Sequence, residues 1–184
     1  MILNYEFKAR VDDPDVMEAR LQQLNPEFRG EDHQVDTYFN VPAGRLKLRK
    51  GNIEHALIHY QRSNEAGAKQ SDVVLYPLQE SETLRDILTR SLGVLTVVDK
   101  KRRIYFIENV KFHFDRVDRL GSFIEVEAID RDGTIGIEKL KEQCRMYADF
   151  FELQPHTYIA NSYSDLLLDI PAAAAQAAGQ GKQQ

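Results

Sequence analysis

His113-Phe114-Asp115-Arg116-Val117-Asp118-Arg119-Leu120-Gly121-Ser122-Phe123-Ile124-Glu125-Val126-Glu127 is the stretch that decides the fold. Side chains on a strand alternate between two faces, so residues two apart share one. In the run Val110–Asp115, His113 and Asp115 share a face and Phe112 and Phe114 take the other; in Ser122–Ile129, Glu125 and Glu127 oppose Ile124 and Val126. Two neighbouring strands thus carry one apolar face for packing and one face of ionisable groups. A sheet that is wet on one side accounts for any single strand of this kind.

The pattern repeats outward along the chain. Similar runs occupy Leu3–Arg10, Val35–Asn40, Arg45–Lys50, His55–Arg62, Asp72–Tyr76 and Leu95–Ile107, which makes about eight strands. Glu6 and Lys8 share a face, as do Arg45, Lys47 and Arg49; Ile58, Tyr60 and Arg62; and Lys101, Arg103 and Tyr105. On this pattern Ile104 and Phe106 lie beneath helices, and Lys100 and Arg102 point outward with them. Helical spacing is confined to Pro14–Leu24, Glu80–Leu92 closed by Gly93, Ile137–Phe151 and a short Tyr163–Leu168. Strands with few intervening helices predict an antiparallel α+β domain rather than a doubly wound sheet.

Like charges on adjacent strands repel, so a stripe of Lys and Arg across a sheet is more readily explained by an anion bound between them. A curved or closed sheet would gather these groups into one cavity. Cations beside paired carboxylates suit phosphate chemistry, the carboxylates holding Mg²⁺ or Mn²⁺ against the same oxygens. The sequence has neither a P-loop nor a glycine-rich dinucleotide loop, so side chains must make the anion site.

Composition bounds the rest. The chain has 184 residues, of which 42% are hydrophobic and 29% charged, which suits a single core. Residues 1–170 are expected to form that domain, and the Ala/Gln/Gly-rich segment 171–184, which lacks apolar periodicity, a disordered tail. Cys144 is the lone cysteine, so neither a disulfide framework nor a multi-cysteine zinc site can form, and a cytoplasmic location is expected. No signal peptide or membrane-spanning run is legible. The formal charge of −5 gives little reason to expect nucleic acid, although residues 45–111 hold 13 basic and 8 acidic residues, a local +5.

Five segments, in order, resemble the CYTH or triphosphate tunnel metalloenzyme superfamily, which includes class IV adenylyl cyclases and thiamine triphosphatases. Asn4-Tyr5-Glu6-Phe7-Lys8-Ala9-Arg10 is similar to its Glu-x-Glu-x-Lys signature. Gln34–Asn40 followed by Gly44–Arg49, Leu57–Arg62 with Lys69-Gln70-Ser71, Lys101–Tyr105 as a Lys-x-Arg strand, and His113–Glu127 continue the likeness. The resemblance implies an eight-stranded antiparallel barrel, or tunnel, with helices packed outside. It implies that Lys8, Lys47, Arg49, Arg62, Lys69, Lys101 and Arg103 hold the triphosphate and that Glu6, Glu125 and Glu127 bind Mg²⁺ or Mn²⁺. Lys8 and Asp115 are its expected catalytic residues, Asp115 as a base or a further metal ligand.

The implied reaction is cyclisation of ATP to cyclic AMP and pyrophosphate. The alternatives are hydrolysis of inorganic triphosphate, thiamine triphosphate or a nucleotide, and non-catalytic binding of nucleotide or polyphosphate. The last is motivated by Asn4, which stands where the signature has its first Glu and removes one negative charge. The resemblance also makes a homodimer plausible. His113 reads equally as an acid or as a structural partner of Asp115, Cys144 as a structural cysteine, and Asp12-Asp13 as the cap of the first helix.

Overall fold

The structure, a computed structural model, describes residues 2–62, 68–79 and 82–171. Eight strands, β1 (Ile2–Arg10), β2 (Glu27–Phe39), β3 (Arg45–Lys50), β4 (Ala56–Arg62), β5 (Lys69–Pro77), β6 (Val94–Ile107), β7 (Val110–Val117) and β8 (Gly121–Asp130), close into a barrel. Its order is β1-β5-β4-β3-β2-β6-β7-β8, and every pairing is antiparallel. Closure leaves no free edge and divides each strand's side chains between an interior and an exterior. This is the expected α+β tunnel architecture.

The exterior of β1, β7 and β8 is apolar. Phe7, Ala9, Phe112, Phe114, Ile124, Val126 and Ala128 form one buried cluster with helix α3 (Ile137–Phe150) and Leu21 of helix α1 (Pro14–Gln22). In α3 the buried residues Leu140, Cys144 and Tyr147 fall three and four apart and so make a single stripe. Each fully buried residue of Leu size stabilises this layer by about 1.5–3 kcal/mol. Helix α1 starts as its sequence predicts, with Asp13 accepting from the Asp15 N–H at 2.9 Å and Pro14 in the first turn.

Strand β2 begins well before the Val35 expected from alternation. Glu27–Gln34 pairs with the far half of β6, with a register shift at Phe28/Gly30, and a polar run of this kind carries no period-2 signal. Helix α2 (Glu82–Leu92) ends at Gly93, whose φ of 74° is the left-handed conformation that glycine adopts freely. Helix α4 (Tyr163–Leu168) opens on a reciprocal cap in which Ser162 and Asp165 satisfy each other's backbone N–H. Instead of packing against the barrel wall alone, α4 joins a second apolar cluster with Tyr38, Tyr60, Val117 and Phe123. The segment from residue 172 onward, expected as a tail, lies outside the described residues.

Candidate active site in the barrel interior

The interior opens into a cavity of about 160 Å³. Among the described residues, six cations line it: Lys8, Lys47, Arg49, Lys100, Arg102 and Lys111. Four carboxylates line it with them, Glu6, Glu54, Glu125 and Glu127. Asp36 and Asp115 stand directly behind, each almost fully buried. Tyr38, Ile58, Tyr60, Val73 and Leu75 add an apolar part to the lining.

Adjacent strands set the carboxylate side. Glu6 on β1 lies opposite Glu127 on β8, and Lys8 opposite Glu125, and candidate ligand atoms of His113, Glu125 and Glu127 gather there. The Lys8 ammonium lies 3.5 Å from Glu125. His113 Nδ1 is 3.2 Å from Glu125 Oε2 and 3.6 Å from Glu127 Oε1. Burial, with Arg102 and Lys111 nearby, holds His113 down at about 3, so its ring is neutral and its Nδ1–H donates to the Glu125 carboxylate. His113 therefore orients Glu125. Burial and the neighbouring Glu125 and Glu6 push Glu127 up to about 7.

The donor set fits a hard divalent cation. Oxygens of Glu125 and Glu127 lie within 4.8 Å of each other and of a His113 nitrogen, and the Asn4 Oδ1, buried in the same lining, has no hydrogen-bond partner. Crowded carboxylates with an unsatisfied amide oxygen at hand are what Mg²⁺ or Mn²⁺ would bind.

Two buried carboxylates organise the cations. Asp36 Oδ1 and Oδ2 accept from Arg49 Nε and Nη2 at 2.8 and 2.9 Å, and Oδ2 also accepts from Lys47 at 3.0 Å and Lys100 at 2.8 Å. These cations keep Asp36 ionised against its burial, well below the usual carboxylate range. Asp115 accepts two hydrogen bonds from Arg102, at 2.7 and 2.5 Å, and one from the Tyr163 hydroxyl at 2.7 Å. Arg102 extends a third bond to Glu125 at 2.7 Å. Asp115 is thus fully buried, with both oxygens hydrogen-bonded, and it holds Arg102 in place.

The expected facing of β6 is corrected. Lys100 and Arg102 point into the barrel, whereas Lys101 is exposed and Arg103 bonds Glu18 of α1 at 2.6 Å on the outside. Four consecutive cations hold no alternation, so their facing follows from pairing. Arg102 lies opposite Asp115, on the face of β7 that turns away from Phe112 and Phe114. Ile104 faces inward with Arg102, and Tyr105 takes the place under the helices.

Lys8, Lys47, Arg49, Glu6, Glu125 and Glu127 all line the cavity. Arg62 lies opposite Ser71 on β4, and Lys69 opposite Glu6 on β5, but their side chains lie outside the described residues. The sequence reading missed Lys111, Glu54 and Tyr163. Lys111 was legible, being two residues from His113 on the same strand face. Glu54 sits in a hairpin turn and Tyr163 in a short helix, where no face pattern marks an inward side chain. Tyr163 reaches Asp115 at the barrel end, and its ring lies 4.0 Å from the Lys8 ammonium. Arg45 fastens this helix to β3 through Asp165 at 2.6 Å.

Fold and lining together define a charged β-tunnel of the triphosphate-tunnel kind. Residues 3–153 match the CYTH domain, and the chain belongs to that family, whose enzymes are metal-dependent and include adenylyl cyclases and triphosphatases. Adenylate cyclase CyaB of Aeromonas hydrophila is 28% identical over 138 residues, 69% of each chain. MJ0240 of Methanocaldococcus jannaschii is 26% identical over 138 residues, 68% of this chain and 77% of its own. The structure of PH1012 from Pyrococcus horikoshii superimposes with a TM-score of 0.75 at 25% identity, covering 89% of this chain and 98% of that one. Ser162 and Tyr163 lie beyond the residues matched to the family.

Among the described residues no helix is long and apolar enough to cross a membrane.

Proposed function

We propose that the protein is a cytoplasmic, metal-dependent enzyme that cyclises ATP to cyclic AMP and pyrophosphate. The observation that carries this reading is the division of one cavity into cations, a carboxylate cluster and an apolar part lined by Ile58, Tyr60, Val73 and Leu75. A triphosphate needs the first two, and the third suits the organic group of a nucleotide. The six lining cations are matched by Glu6, Asp36, Glu54, Asp115, Glu125 and Glu127, so the substrate's charge is met by the divalent ions that accompany it.

Lys47, Arg49, Lys100 and Arg102 bind the phosphate oxygens, and Asp36 and Asp115 hold these cations in place before substrate arrives. Preorganised charge of this kind stabilises the leaving group at no cost of reorganisation. The ribose 3′-hydroxyl oxygen forms a bond to the α-phosphorus, the bond from that phosphorus to the bridging oxygen breaks, and pyrophosphate departs with the electron pair. The hydroxyl proton passes to the carboxylate side of the cavity. Mg²⁺ or Mn²⁺ held by Glu6, Glu125 and Glu127 would lower the cost of negative charge on the reacting oxygens. His113 keeps Glu125 turned toward that place.

Incubation with ATP, inorganic triphosphate and thiamine triphosphate, each with Mg²⁺ or Mn²⁺, followed by chromatography, tests the reading. Cyclic AMP and pyrophosphate from ATP are expected. Orthophosphate without cyclic AMP would replace cyclisation with hydrolysis, and no turnover of any of the three would leave a binding protein.

A pH dependence follows from Lys100. Burial, with Arg49, Arg102 and Lys47 beside it and only Asp36 opposing, lowers its pKa to about 7 in the empty site. The protonated amine binds phosphate, so triphosphate affinity is expected to fall as pH rises above 7. The sign for stability is opposite: between 7 and the usual lysine value the unfolded chain binds the extra proton, so this residue's contribution to stability rises with pH. Titrating triphosphate affinity from pH 6.5 to 9 in wild type and Lys100→Arg checks this. The arginine variant is expected to have the shallower slope, and parallel slopes would dismiss Lys100 as the titrating group.

A further inference from the structure

We infer that Glu54 is a built-in competitor of the substrate: its carboxylate occupies a phosphate position between Arg49 and Lys111 and sets how far a phosphate chain can enter. This deepens the proposed function and rests on it, since it assumes that the cavity binds a polyphosphate.

Glu54 differs from the other acids in the lining. It comes from the β3–β4 turn rather than a strand, and it reaches inward to two tunnel cations. Its Oε2 accepts from Arg49 Nη1 at 2.7 Å and from Gln34 Nε2 at 3.0 Å, while Oε1 accepts from the Lys111 ammonium. The carboxylate stays ionised well below its ordinary range: burial opposes this, but Lys111 and Arg49 outweigh it. It is also outside the Glu125 and Glu127 cluster. An anion bridging a guanidinium and an ammonium in this way makes the contacts that a phosphate would make.

The turn is fixed so that this residue must point in. Asp32, fully buried, accepts from the backbone N–H groups of Asn52, Ile53 and Glu54 at 2.7, 2.9 and 2.9 Å. A Cβ on Gly51 would stand 2.5 Å from the Glu54 carbonyl oxygen and 2.7 Å from Asp32 Oδ1, so only glycine permits the close approach. A turn pinned by three N–H groups to one buried carboxylate is more than chain reversal requires. It holds Glu54 against Arg49 and Lys111, leaving Lys47, Lys100 and Arg102 for the substrate. A longer chain would have to displace the carboxylate.

Calorimetric titration of inorganic diphosphate, triphosphate and tetraphosphate in EDTA, with wild type, Glu54→Gln and Glu54→Asp, tests the inference. Glu54→Gln removes the competing charge and is expected to tighten triphosphate binding roughly tenfold, with a larger gain for tetraphosphate. Glu54→Asp keeps the charge but withdraws it by one methylene, so the same order of gains is expected at smaller size, in a variant that should fold even if the glutamine variant does not. Triphosphate binding by wild type with no gain in the folded variants would overturn the role of Glu54 alone. Equal gains for all three chain lengths would overturn the limit on entry. A wild type that binds none of the three overturns this inference together with the tunnel reading, which turnover assays then fail independently.

Discussion

Arg102→Ala is expected to destabilise the protein by about 3–5 kcal/mol, the cost of removing one partner of a buried ion pair. Asp115 would remain fully buried with only the Tyr163 hydroxyl to bond it, and Glu125 would lose its 2.7 Å contact. For a domain of this size that loss lowers the melting temperature by about 10 °C or more. Arg103→Ala, one position along, should cost less, because Arg103 is itself partly exposed and engages one carboxylate, and the buried Glu18 keeps the Tyr105 hydroxyl. Triphosphate affinity should divide the pair in the same way, falling in Arg102→Lys, which keeps a charge but loses the fork geometry, and holding in Arg103→Ala. Thermal unfolding and calorimetry on the three variants check both statements. Equal effects at 102 and 103 would contradict the facing of β6 on which the site depends.

Glu125→Gln and Glu127→Gln are expected to lose metal-dependent turnover by more than about a hundredfold, since even outer-shell partners of a metal site change its affinity 10–100-fold. Binding of triphosphate in EDTA should survive in Glu127→Gln, because Asp36 holds Lys47, Arg49 and Lys100 without help from β8. Glu125→Gln should show a further loss of stability, as Lys8, Arg102 and His113 all converge on that carboxylate. Turnover assays across a Mn²⁺ titration, paired with melting curves, separate the two residues. Wild-type turnover in either variant would remove it from the metal set.

These predictions turn on a boundary between what sequence and tertiary structure each determine. Period-2 alternation in Asn4–Arg10, Arg45–Lys50 and Ser122–Ile129 is a local property, and it was enough to put Glu6, Lys8, Lys47, Arg49, Glu125 and Glu127 on polar faces and to predict a sheet covered by helices. The number of strands was legible for the same reason, and helical spacing marked the short helix at Tyr163–Leu168. Alternation fails where successive residues are alike. Lys100-Lys101-Arg102-Arg103 fits either facing, and a one-residue change of parity exchanges the inward pair for the outward one. Only the pairing of Arg102 with Asp115, on a strand whose Phe112 and Phe114 must lie beneath α3, decides it. The same holds for Asp115, whose oxygens accept from residues 13 and 48 positions away. Glu54 and Tyr163 enter the cavity from a turn and a terminal helix, whose inward direction is set by Asp32 and Arg45 from other strands. The sequence by itself therefore determined the antiparallel strands and the chemistry of their faces, and its likeness to a family implied the barrel. Closure of the barrel, which fixes parity across strands distant in the chain, decided which charges meet.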